Sequence, residues 1–91
     1  MPQHSRQLLI QNKLGLHARA ATKLARLANE FDARICIRQG EREVDASSVM
    51  GLMLLASQQG KTIEVSAEGE DAEAALDAIE KLIQDRFDEE E

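Results

Sequence analysis

The chain has 91 residues, of which 43% are hydrophobic and 31% are charged, as expected for one small globular domain. Seventeen acidic and eleven basic residues give a formal net charge of −6, and there are two Phe but no Tyr or Trp. Such a chain lacks both the excess of basic residues that binds nucleic-acid phosphates and the aromatic side chains on which bases stack. We therefore expect no nucleic-acid partner and no binding to an anionic membrane surface.

The sequence also favours a cytoplasmic location. It has no apolar run of about 20 residues that could span a bilayer, and the polar residues after Met1 do not resemble a signal peptide. The single cysteine, Cys36, cannot form an internal disulfide, which fits a reducing compartment. We interpret Cys36 as a strand residue without a catalytic role.

The first part of the chain predicts a strand, a loop and a helix. Apolar and polar residues alternate within residues 7–12, which indicates a strand. Gly15 then permits a backbone turn. From Ala18 onward apolar residues recur at helical spacing and predict an amphipathic helix of about three turns. Its expected buried stripe consists of Ala21, Leu24, Ala25, Leu27 and Ala28.

The middle of the chain predicts a β-hairpin followed by a short helix. Residues 33–38 and 42–46 alternate in polarity on either side of a turn at Gly40. Ser48 is placed to cap the N-terminus of an apolar helix over residues 49–56.

The last part predicts a strand, a helix and a tail. Gly60 is suited to end the second helix, and residues 61–68 alternate clearly enough for a strand. Asp71 can cap a final amphipathic helix over residues 72–83, and residues 88–91 form an acidic tail.

The resulting order of elements, β-α-β-β-α-β-α, predicts an α+β fold. Each strand has one apolar face and each helix one apolar stripe, so three helices should cover one face of a four-stranded sheet. Arg34 and Arg38 would pair across strands with Glu64 and Glu68 on the wet face if their strands are neighbours.

The chain lacks the common enzyme motifs. There is no P-loop, no dinucleotide-binding glycine motif, and no Cys or His pair at the spacing of metal ligands. We expect no metal site.

The residue best placed for chemistry is His17. It lies between the Gly15 loop and the first helical turn, where unpaired N–H groups and the positive end of the helix dipole favour an anion. Arg19 carries a forked donor suited to phosphate. A neutral imidazole in this position keeps a lone pair for nucleophilic attack, which fits reversible capture of a phosphoryl group. The alternative is a histidine that merely begins a helix at an exposed loop.

Three segments resemble signatures of the HPr-type phosphocarriers of the phosphoenolpyruvate-dependent phosphotransferase system. They are residues 15–19, 47–53 and 65–71, which follow one another in the family's order and at its spacing within residues 7–87. The chain departs from the family pattern at Ala20, where the family usually has proline. Without the proline ring the backbone of the first helical turn is less rigid, and we expect this to affect the rate of phosphoryl transfer.

The resemblance implies an open-faced β-sandwich with antiparallel strand order 1-4-2-3. It implies one domain over residues 1–91, with a core of residues 7–87. It further implies that Nδ1 of His17 accepts a phosphoryl group from an enzyme I-type protein and passes it to an EIIA-type protein, while Arg19 orients the group. Such a carrier is not an enzyme with its own turnover and needs no cofactor. We expect a monomer.

The second helix carries more apolar surface than one stripe can bury. If Leu52, Leu55 and Ala56 pack on the sheet, other apolar residues remain partly exposed near His17 and can bind partner proteins. The alternative is a short helix that is buried on most sides. The expected partner-binding residues are Leu16, Val49, Met50 and Met53.

Ser48 aligns with a serine that a dedicated kinase phosphorylates in some family members. Its main expected role is that of helix cap. A phosphate there would add about two negative charges beside the partner-binding residues and repel an acidic partner.

Within the family, three features resemble the nitrogen-related branch, which relays phosphate to a nitrogen-type EIIA. They are Ala20, Phe87 with its following acidic residues, and the overall acidity. The alternatives are a sugar-type carrier that feeds carbohydrate uptake and a regulatory binding module that acts mainly by docking. The presence of His17 argues against the last of these.

Overall fold

The elements follow one another in the predicted order in a computed structural model of the chain, which describes residues 3–12, 15–55 and 59–88. The strands are β1 (Gln3–Leu9), β2 (Arg34–Gln39), β3 (Arg42–Asp45) and β4 (Thr62–Glu68). The helices are α1 (Ala18–Ala28), α2 (Val49–Leu55) and α3 (Ala72–Gln84), and a 3-10 turn follows at Arg86–Asp88. Ala56, predicted in the second helix, lies outside the described residues. Of the tail predicted at 88–91, Asp88 ends the 3-10 turn and residues 89–91 lie outside the described residues.

The four strands form one antiparallel sheet in the order β1-β4-β2-β3, which confirms the expected strand order. Strands β2 and β4 are neighbours, so the condition for the expected pairs is met: Arg34 lies opposite Glu68 and Arg38 opposite Glu64. A guanidinium nitrogen of Arg38 lies 2.9 Å from a carboxylate oxygen of Glu64. These pairs lie on the face of the sheet that the helices leave open.

Strand β1 begins earlier than residues 7–12 predicted, because its polar start pairs with β4 along its whole length, Gln3–Leu9. Backbone pairing needs no apolar side chain, so alternation could not mark this start. Arg6 also ties β1 to α3, with one guanidinium nitrogen 2.7 Å from Asp77 and 2.8 Å from Glu80.

The core lies between the sheet and the three helices, since α3 contacts β1 and β4, α2 contacts β3, and α1 contacts both other helices. The predicted stripe of α1 is buried at Ala21, Leu24, Ala25 and Ala28, and Leu27 is half-buried. The core also includes Phe87, which is fully buried after α3. The three-helix, one-face architecture is confirmed.

Asp71 does not cap α3 with its side chain as expected. Its carboxylate instead accepts a hydrogen bond from the backbone N of Asp32, at 2.7 Å, and its own backbone N donates to the Asp32 carbonyl, at 3.1 Å. Gly69 permits this close approach, because a Cβ there would lie 2.8 Å from the Asp32 carbonyl oxygen. The turn before α3 is therefore bound to the loop after α1.

Candidate functional site

His17 is the N-cap residue of α1, with an extended backbone conformation (φ −77°, ψ 178°). Its Nδ1 atom accepts a hydrogen bond from the backbone N–H of Arg19, at 3.3 Å. Its carbonyl oxygen accepts the backbone N–H of Ala21, at 2.8 Å, which starts the helical ladder. The side chain is half-buried, at the junction of loop and helix where the sequence predicted it.

The bond from Arg19 fixes the chemistry available to the imidazole. A nitrogen that accepts a hydrogen bond carries the lone pair, so in the neutral ring this contact places the proton on Nε2 and the lone pair on Nδ1. That lone pair is directed at the start of α1, where the first N–H groups lack helical partners and the helix dipole is positive. A phosphoryl group on Nδ1 would take the place of the hydrogen bond and meet the same donors.

The loop before His17 is held by Asn12 and Gly15. Gly15 has a φ of +66°, a region that favours glycine, and its backbone N donates to the Asn12 carbonyl at 3.2 Å. The side-chain amide of Asn12 donates to the Gly15 carbonyl at 2.8 Å. Asn12 was not among the candidate residues predicted from the sequence, although an Asn three residues before a Gly is a common turn signal.

The outer face of α1 is positively charged although the chain as a whole is acidic. The helix contains no Asp or Glu, and its basic residues Arg19, Lys23 and Arg26 recur at helical spacing. Arg19 and Arg26 are exposed, whereas the Lys23 ammonium donates to the Phe87 carbonyl at 2.7 Å. Ala20, at the position of the family proline, is buried.

Helix α2 exposes an apolar surface, which we call the α2 patch: Met50 (70% exposed), Met53 (43%) and Leu54 (67%). Leu54 was not among the residues expected on this surface, although it belongs to an uninterrupted apolar run that is too wide for one buried stripe. Leu52 and Leu55 are buried, as expected.

Two residues expected at the partner-binding surface expose less of their side chains than predicted. Leu16 is only 4% exposed, because the apolar side chain between Gly15 and His17 turns into the core as the chain enters α1. Leu16 therefore offers almost no surface to a partner. Val49 is half-buried and packs against the core, so it contributes at most an edge to the α2 patch.

Both ends of α2 are anchored, and this fixes how the α2 patch is presented. At the N-terminus the Ser48 hydroxyl accepts the backbone N–H of Gly51, at 3.0 Å, so Ser48 caps the helix as predicted. A Cβ on Gly51 would lie 3.2 Å from Val44, so glycine lets α2 pack closely on β3. At the C-terminus Arg42 donates to the Leu54 carbonyl, at 3.0 Å.

Hydrogen bonding and burial shift the pKa values of two groups on the sheet, Asp45 in β3 and Cys36 in β2. The Ser47 hydroxyl and backbone N–H both donate to Asp45, at 2.7 and 2.8 Å, and lower the pKa of its carboxyl group. Burial raises the pKa of the Cys36 thiol, which disfavours the reactive thiolate.

Over the described residues, no three His, Cys, Asp or Glu side chains come together so that they could hold a metal ion. Within residues 3–12, 15–55 and 59–88, no helix combines the length and the hydropathy needed to cross a membrane.

An antiparallel sheet covered on one face by three helices, with a histidine at the N-terminus of the first helix, defines the class of small histidine-containing phosphocarriers. A family model described as "PTS HPr component phosphorylation site" matches residues 4–85. The chain belongs to the HPr family of the phosphotransferase system.

Known relatives agree in sequence and in structure. The phosphocarrier protein NPr of Shewanella violacea is 58% identical over 89 residues, which cover 98% of each chain. The phosphocarrier protein HPr of Xylella fastidiosa is 45% identical over 83 residues, 91% of this chain and 93% of the relative. The crystal structure of HPr-C-His from Thermoanaerobacter tengcongensis has a TM-score of 0.93 at 39% identity and covers 97% of this chain and 99% of that one. These relatives are phosphocarriers rather than enzymes, and so is this chain.

Proposed function

We propose that His17 is the phosphoacceptor and that it relays a phosphoryl group between an enzyme I-type donor and an EIIA-type acceptor. The observation that carries this proposal is the direction of the Nδ1 lone pair, which accepts the Arg19 N–H at the start of α1. As the P–N bond to the donor imidazole breaks, its electron pair stays on the donor nitrogen, and a new P–N bond forms at Nδ1. Transfer to the acceptor repeats this exchange with His17 as the leaving group.

The surroundings of His17 favour both the capture and the release of a phosphoryl group. The N–H groups of the first turn and the Arg19 guanidinium can neutralise the charge on the phosphoryl oxygens. Because the hydrogen bond that the phosphoryl group replaces is long, at 3.3 Å, little is lost when it breaks. The half-exposed ring remains within reach of a second protein.

We propose that the α2 patch and the basic face of α1 form the docking surface for both partners. One histidine must reach a donor and then an acceptor, so the two proteins use the same surface in turn. Exposed methionines suit a surface that must fit more than one partner, because their side chains adapt their shape. Exposed Arg19 and Arg26 beside apolar residues favour partners that present an apolar centre with acidic neighbours.

The nitrogen-related branch is the relay that we propose, with a nitrogen-type EIIA as acceptor and a mainly regulatory output. Identity to the NPr of Shewanella violacea is 58%, against 45% to the HPr of Xylella fastidiosa, which supports this choice over sugar uptake. Ala20 and the acidic end of the sequence also support the nitrogen-related branch. We propose that the protein acts as a cytoplasmic monomer.

Phosphorylation of Ser48 by a serine kinase is a separate proposal. The hydroxyl already accepts the Gly51 N–H at the start of α2, so a phosphate would sit at that helix end, beside Met50. Its negative charge would weaken binding of an acidic partner.

The test of the relay is phosphorylation by phosphoenolpyruvate and an enzyme I-type donor of the nitrogen branch, followed by intact mass. We expect one phosphate that is labile in acid and stable in alkali, absent from His17→Ala and retained by His4→Ala. His4 is the matched control, because it is the other histidine of the chain and lies exposed on β1. A wild-type protein that stays unmodified by a donor active on another carrier would favour the docking-only binding module instead.

A further inference from the structure

Asn12 has no exposed surface, and among residues 3–12, 15–55 and 59–87 it is the one polar or charged residue that is buried. Ile10 and Leu16, on either side of it in the chain, are buried apolar residues. Burial of an amide costs free energy unless the amide is hydrogen-bonded. An apolar side chain of similar size would fill the same space without that cost. A fully buried asparagine next to the proposed phosphoacceptor loop therefore calls for a role that an apolar residue could not fill.

Two hydrogen bonds join Asn12 to Gly15. Its side-chain amide donates to the Gly15 carbonyl at 2.8 Å, and its own carbonyl accepts the Gly15 N–H at 3.2 Å. The Gly15 carbonyl also accepts the backbone N–H of His17, at 3.0 Å. One carbonyl oxygen thus joins the Asn12 side chain to the residue that carries the imidazole.

This arrangement fixes where the chain enters α1. Gly15 holds a φ of +66°, and Leu16 is buried immediately after it, so the loop is pinned on both sides of the shared carbonyl. Without the Asn12 amide, the Gly15 carbonyl would keep only the His17 N–H, and its peptide plane could rotate. Rotation would move the His17 backbone and, with it, the direction of Nδ1 relative to the Arg19 N–H.

We propose that Asn12 is a positioning residue for phosphoryl transfer: through the Gly15 carbonyl it sets the orientation of His17 at the start of α1. Asn12 does not touch the reacting atoms. The inference rests on the proposed transfer at His17 and deepens it by naming the buried group that holds the nucleophile. Misplacement of a reacting group by about 1 Å can lower a rate about a hundredfold. A residue that holds the reacting group in place can therefore control the rate without touching the reacting atoms.

The test compares Asn12→Leu with Ile10→Val. Asn12→Leu removes the amide donor and leaves a branched apolar side chain in the buried site. Ile10→Val perturbs an equally buried residue of the same segment, whose backbone binds Gly60 and Lys61 rather than Gly15. We expect Asn12→Leu to lower the single-turnover rate of transfer from the donor about tenfold to a hundredfold. The KM for the donor should stay unchanged, because the α2 patch is intact.

A second measurement does not depend on the donor. In the unphosphorylated protein, the NMR shifts of the His17 ring nitrogens and of the Arg19 amide should change in Asn12→Leu and stay at their wild-type values in Ile10→Val.

Wild-type ring shifts in Asn12→Leu, or a transfer rate equal to that of the wild type, would overturn the proposal. An equal rate loss in Ile10→Val would also overturn it, because the effect would then be general destabilisation. If the wild-type protein accepts no phosphate, the proposed function fails, and the ring and amide shifts alone decide whether Asn12 orients His17.

Discussion

Met50→Glu tests whether the α2 patch binds the donor. Met50 is 70% exposed, so the apolar surface available to a partner is most of its side chain. Full burial of a methionine side chain is worth about 1.5–3 kcal/mol, so burial of this exposed part contributes about 1–2 kcal/mol to binding. Loss of that contribution weakens binding about fivefold to thirtyfold, and the carboxylate adds repulsion from an acidic partner.

The assay is the initial rate of phosphoryl transfer as a function of donor concentration, together with a thermal melt. We expect the KM for the donor to rise by at least the factor above, while the melting temperature changes little, because exposed positions contribute little to stability. The matched control is Leu9→Glu. Leu9 is 50% exposed, and it lies on the open face of the sheet, opposite to the helix-covered face on which its neighbour Leu8 is buried. An unchanged KM in Met50→Glu, or an equal rise in Leu9→Glu, would refute the role of the α2 patch.

Three further predictions concern stability. Ser48→Ala removes the cap on the Gly51 N–H and should lower the free energy of unfolding, measured by chemical denaturation, by about 0.5–2 kcal/mol. Ser48→Thr should retain most of this stability, and an unchanged free energy of unfolding in Ser48→Ala would contradict the capping role. The pKa of Asp45 is lower in the folded protein, so its contribution to stability is present above the pKa of an unfolded aspartate and lost as pH falls through the folded value. Denaturation measured against pH should therefore show a smaller acid-induced loss in Asp45→Asn, and identical profiles would contradict this. Phe87→Ala leaves a cavity at a fully buried site and should lower the free energy of unfolding by about 3–5 kcal/mol in the same assay. A decrease of less than about 1 kcal/mol would mean that the C-terminal turn is not part of the core.

Periodicity was sufficient to predict the elements whose apolar faces are regular. Helix α1 repeats small and branched apolar residues at helical spacing, and β4 alternates along its whole length, so both were predicted close to their observed bounds. The strand order does not follow from periodicity, because each strand has the same kind of apolar face. It came from the resemblance to a known family and is confirmed by the observed pairing.

Features that depend on a partner distant in sequence could not be predicted. The carboxylate of Asp71 binds the backbone of Asp32, 39 positions earlier, so local capping rules gave the wrong partner. The burial of Phe87 depends on how the chain folds back after α3, where Arg86 and Phe87 both have a φ of +56°. At the candidate site the sequence identified His17, whereas the contact from Asn12 to Gly15 was missed although it is local and its spacing is typical of a turn.

The most direct test of the central claim is the position of the phosphate on the histidine ring. The protein labelled with nitrogen-15 and phosphorylated by its donor should show phosphorus bonded to Nδ1 of His17 in the NMR spectrum of the ring nitrogens. The Arg19 amide signal should shift at the same time, because its N–H would then donate to a phosphoryl oxygen rather than to the ring. Phosphate on Nε2, or on any other residue, would contradict the account.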